Sequence, residues 1–152
     1  MKTPICICAA LLMSASAAQA QVYIQDYVSP EAITGTGERI PVKWLGLPST
    51  HDLIRVYPRR ALENGVSGEV RMNCHPRIKY GMGDLFGCRV TSERPFGYGF
   101  SGAALSLSEA YRAYPTRRLP PNIKPEDLRV FIVIHWMADG HSHVGRWAQY
   151  PR

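Results

Sequence analysis

Three histidines gather toward the C-terminus, His135 and the spaced pair in His141-Ser142-His143, while two cysteines, Cys74 and Cys88, stand in the middle of the chain. A histidine pair one residue apart on extended backbone turns both rings to one side, an arrangement able to hold a transition metal. The nearest carboxylate, Asp139, falls in Ala138-Asp139-Gly140, which reads as a turn. That leaves His135, His141 and His143 as the metal-ligating candidates. No Gly-Ser elbow, phosphate loop or cysteine–histidine dyad accompanies them, so no nucleophile has a base beside it. The residues point to a non-enzyme with no cofactor.

The meaning of the cysteines depends on the compartment, which the first residues indicate. Lys2, the apolar stretch Ile5 to Ala18 and the small-x-small pattern Ala18-Gln19-Ala20 form an export signal, with cleavage expected after Ala20. The apolar run is interrupted by serines and is shorter than the roughly 20 residues that a membrane span needs. No later stretch is long enough either, so no stable span is expected after cleavage. Cys6 and Cys8 leave with the signal. The remaining pair, in an oxidising compartment, is most simply a disulfide.

Without Lys2 the charge is 17 basic against 12 acidic residues, and fourteen of the basic ones are Arg. These arginines are scattered, and in an exported protein they argue for a soluble face rather than for nucleic acid.

The elements that must position these groups follow from periodicity. Residues 21–47, rich in Pro, Gly and Thr, read as an extended arm with one or two short strands. Ser49 or Thr50 caps a helical turn, and Tyr57-Pro58 opens a second short helix that Gly65 stops. Val70, Met72 and Cys74 alternate on one face of a strand, and Cys88, Val90 and Ser92 do so on its return. Setting Cys74 opposite Cys88 pairs Met72 with Val90 and Val70 with Ser92. Phe100, Ala104, Leu107, Tyr111 and Tyr114 recur at helical spacing, with Ser101 as cap and Pro115 as stop. Leu128 to Met137 is the most strand-like run. The resulting fold class is α+β: two short helices on a three-stranded antiparallel sheet, with an N-terminal extended arm. The organisation is a signal peptide at 1–20, an arm at 21–47, a domain at 48–137 and a tail at 138–152 in which Trp147 and Tyr150 fold back on the sheet.

The order of Tyr57-Pro58-x-x-Ala61, Gly68-x-Val70, Cys88-x-Val90-x-Ser92-Glu93, Gly99-Phe100 with Ala103-Ala104-Leu105, the aromatic run to Pro115 and a late apolar strand resembles the TonB C-terminal domain family over about Asp52 to Met137. The paired cysteines are similar to those of a disulfide-bearing subset. The resemblance implies a periplasmic protein that takes up an extended peptide, such as that of a TonB-dependent outer-membrane receptor, as an added strand at its sheet edge. Here that edge would be the late strand, with Arg129, Phe131, Val133 and His135 reading the peptide and Tyr57 and Pro58 beside it. The chain carries a cleavable leader and about thirty residues where the family has a retained anchor and a long Pro-rich spacer, so binding is implied and energy transfer is not. A periplasmic metal-binding protein using the late histidines, and a domain that homodimerises through the same edge, are the alternatives.

Overall fold

The computed structural model describes residues 23–79 and 82–138. Its elements are β1 (Tyr23–Val28), β2 (Glu31–Thr34), β3 (Arg39–Gly46), α1 (Thr50–Arg55), α2 (Arg59–Glu63), β4 (Gly68–Lys79), β5 (Met82–Arg94), α3 (Phe100–Ser106), β6 (Arg112–Pro115) and β7 (Leu128–Met137). The seven strands form one curled sheet, a half-barrel, in the order β5-β4-β7-β2-β3-β6, with β1 also on β7 and every pair antiparallel. This corrects the expectation of three strands, two helices and a separate arm.

Two misread segments account for the difference. In residues 23–46 the alternation is short but buried: Ala32, Thr34, Ile40 and Val42 all point into the core. An arm contributing that much apolar surface is part of the sheet. The second segment follows Phe100. α3 ends at Ser106, and the chain passes through one 3-10 turn, Ser108–Ala110, into β6. Tyr111 and Ala113 are buried at strand spacing, as is Pro115. Ser106 folds its hydroxyl back onto the Ala103 carbonyl at 2.7 Å, a competing bond that suits a helix end.

The β4–β5 hairpin keeps the expected Met72–Val90 pair, but Val70 faces Glu93 rather than Ser92. Thr91 is the extra residue, and its hydroxyl donates to the Arg71 carbonyl at 3.1 Å. A second irregularity sets Gly87 and Cys88 against Cys74, with Gly87 at φ 58, the left-handed conformation such a bulge requires. The disulfide Cys74–Cys88 spans it. Pro76, buried on β4, lies beyond the last β4–β7 pair, Cys74↔Val130, where β7 asks no N–H of it.

The core lies between the concave face of the sheet and the helices. Val130, Ile132, Ile134 and Trp136 from β7 meet Val70 and Met72 from β4, Leu53, Ala61, Phe100 and Ala104 from the helices, and Tyr111. Phe100 is wedged between Tyr57 and Trp136, with ring centroids 5.9 and 5.4 Å away. Where the sheet curls round, β5 and β6 come together through bare backbone: a Cβ on Gly83 would stand 3.0 Å from the Ala113 carbonyl carbon. Among the described residues no helix is long and apolar enough to cross a membrane.

Candidate functional site

The expected binding strand is not an open edge. β7 has β4 on one side, and on the other β1 over Tyr23↔Met137 to Val28↔Ile132, then β2 over Ile33↔Arg129 and Thr34↔Leu128. The expectation that β7 borders solvent is therefore corrected: the chain's own N-terminal segment fills the place assigned to a partner. β1 and β2 run along β7 as one interrupted strand. The interruption at Ser29-Pro30 is firmly held. Ser29 N–H donates to the Phe131 carbonyl at 2.9 Å, its hydroxyl accepts from Phe131 N–H at 3.0 Å, and the Trp44 indole donates to the Ser29 carbonyl at 2.8 Å. From Ser29 onward the chain is anchored. Before Ser29, β1 pairs among the described residues with β7 alone.

Two side chains fasten β1 from below. Val28 packs against the core. Two residues earlier, Asp26 accepts a 3.1 Å hydrogen bond from the hydroxyl of Tyr111, whose ring is buried against Trp44 at 6.2 Å in an edge-on arrangement. Burial pushes the Tyr111 phenol far above its ordinary range, and the Asp26 carboxylate adds to this, so Tyr111 stays a neutral donor at every physiological pH. Sequence reasoning set Tyr111 on a helical stripe and did not join it to Asp26, because the two lie 85 positions apart and meet through the curl of the sheet.

The residues proposed from the sequence are divided among three places. Tyr57 is buried, its hydroxyl donating to the Val66 carbonyl at 2.9 Å and its ring edge-on to Phe100, so it supports the core. Pro58 is the N-cap residue of α2. Arg129, Phe131, Val133 and His135 do share one face of β7, the face turned away from the core, with Phe131 exposed. His135 Nδ1 lies 3.6 Å from Glu69, which in turn accepts from Arg71 at 2.7 Å. Burial lowers the His135 pKa and Arg71 lowers it further, outweighing the opposing pull of Glu69. At neutral pH this is a neutral imidazole beside a carboxylate rather than an ion pair. His141 and His143 lie outside the described residues, as do residues 1–20, expected to be a signal peptide, and Trp147 and Tyr150. Among the described residues no group of three or more His, Cys, Asp or Glu is placed to hold a metal.

The two long strands that border or could border solvent differ in kind. β5 ends the sheet order, and it carries two bulges together with Arg89, Glu93 and Arg94, the features that discourage pairing at an edge. The β1-facing half of β7, Ile132 to Met137, has no bulge, no proline, no Asp, Glu, Lys or Arg, and a continuous register. In this structure β1 covers it. No family model, curated protein or solved structure matches the chain.

Proposed function

We propose that this chain is an exported, non-catalytic binding domain that holds an extended segment of another envelope protein by pairing it to β7, as the TonB C-terminal type does with receptor peptides. The observation that carries this reading is the β1-facing half of β7 from Ile132 to Met137, which carries no bulge, proline, Asp, Glu, Lys or Arg and takes a six-residue antiparallel strand. Main-chain groups would supply the affinity, and alternate side chains the selectivity. The incoming segment takes the place of β1, which is held in the sheet through one ladder, that with β7, so opening it leaves the other ladders of the sheet in place.

Displacement sets the strength of binding. A tethered strand competes at an effective concentration on the order of millimolar, so a free peptide of the same sequence would bind the intact chain weakly, and a partner able to make further contacts would win. The test is hydrogen exchange on the full mature chain with and without an excess of a synthetic peptide of the sequence of residues 23–28. Exchange of the β1 amides should speed up while the Ile132–Met137 amides stay protected. If β1 and β7 always lose protection together, at any peptide concentration, the strand-pairing reading is wrong.

A further inference from the structure

The incoming strand cannot be of any sequence, because it must satisfy what β1 satisfies now. Resting on the strand-pairing reading above, we infer that Tyr111 is a specificity-determining residue, and that the segment paired to β7 carries a carboxylate two positions before an aliphatic residue.

Tyr111 is nearly inaccessible, and among the described residues its hydroxyl donates to the Asp26 carboxylate on β1. When β1 leaves and an apolar strand arrives, that hydroxyl is shut away from water with nothing to accept its proton, which is the costly case for a buried polar group. Tyr111 holds its proton, so the need is for an acceptor, and an ionised one makes the stronger bond. The spacing comes from the strand. Asp26 and Val28 are two apart, lie on the inward face of β1, and meet Tyr111 and the core respectively. A shift of one residue would turn the carboxylate to the outer face. An incoming segment is thus read at two points: an acidic residue over Tyr111, and two residues later a branched aliphatic against the core.

The experiment uses the full mature chain and three peptides written on residues 23–28: the native Tyr-Ile-Gln-Asp-Tyr-Val, one with alanine in place of the aspartate, and one with the glutamine and aspartate exchanged. The last keeps charge and composition, moves the carboxylate to the other face and leaves a neutral amide, the weaker acceptor, over Tyr111. Binding is followed by acceleration of β1 amide exchange as a function of peptide concentration. The native peptide should act at roughly five- to a hundredfold lower concentration than either of the others. In Tyr111→Phe, which removes the donor and keeps the ring, the difference should fall to within about twofold. If all three peptides displace β1 equally in the wild-type chain, this inference is wrong and strand pairing stands. If none displaces it, both fail. The wild-type comparison decides the matter even where Tyr111→Phe does not fold.

Discussion

Gly68→Ala should be among the most damaging single-methyl changes in this protein. Gly68 opens β4, and an ideal Cβ there would stand 2.4 Å from two carbons of the Phe100 ring and 2.6 Å from a third. Ordinary carbon contacts lie at about 3.5 to 4.0 Å, so something must move by more than 1 Å. Phe100 cannot yield easily, since it is fully buried between Tyr57 and Trp136. Nor can the Gly68 backbone, which pairs with Trp136 in the β4–β7 ladder. Overpacking of this kind costs about 1 to 3 kcal/mol, and the rigid surroundings place Gly68→Ala at the upper end. The cause is separable by a double-mutant cycle. Phe100→Leu destabilises on its own account, but it removes the ring atoms that the new methyl would strike, so adding Gly68→Ala to it should cost about 1 kcal/mol or less. Urea denaturation of the four proteins gives each difference as a shift in midpoint at constant slope. If Gly68→Ala costs under about 0.5 kcal/mol alone, or costs the same in both backgrounds, the wedge described here is not what holds this corner.

Further outcomes follow from other parts of the structure. Replacing both Cys74 and Cys88 by serine opens a closure of 14 residues and should lower stability by about 3 kcal/mol, read from the same denaturation curves with and without reductant. Glu93→Ala should cost about 1 to 2 kcal/mol, because its carboxylate accepts from Phe100 N–H at 3.1 Å and from the Ser101 hydroxyl at 2.5 Å at the start of α3. His135 has a folded pKa below its ordinary 6.5, so between the two values the unfolded chain binds more protons and stability falls as pH falls. Denaturation midpoints at pH 7.5 and 5 should therefore converge in His135→Gln relative to the wild type. The Ser49–Asp52 cap works in the same direction at lower pH: hydrogen bonds from the Ser49 hydroxyl and N–H hold the Asp52 carboxyl below 3.8, and its contribution is lost as pH drops through that lowered value. Asp52→Asn should flatten the acid limb of the profile.

The central hairpin and β7 were legible because their alternation is long enough to exclude a helix. Val70, Met72 and Cys74 on one strand and the run from Leu128 to Met137 on another left little choice. The end of α3 was not legible for a definite reason: Leu107, Tyr111 and Tyr114 fit helical spacing, while Tyr111, Ala113 and Pro115 fit a strand equally well. Over so few residues the two periods overlap. Tertiary burial of Ala113 decides it, and nothing local announces that. The arm was underrated because its strands are four to eight residues long and broken by Pro30, Gly35 and Gly37. The proposed site suffered most. His135 and Phe131 do lie on one face of β7, yet the position beside that strand is taken by the chain itself, and the Asp26–Tyr111 bond joins segments that no sequence window contains.

The pairing of Tyr23 with Met137 brings the described ends of the chain to the same margin of the sheet. Tension applied between those ends would load the β1–β7 ladder as a zipper, one residue pair at a time, and not in shear across all six at once. Each step meets only the bonds of the leading pair, so resistance should be low until the front reaches Ser29, where bonds to Phe131 and Trp44 clamp the strand. In a pulling experiment the molecule would behave as a short compliant lead on a stiff body. The bare edge of β7 would then appear at forces that leave the disulfide-bearing hairpin intact.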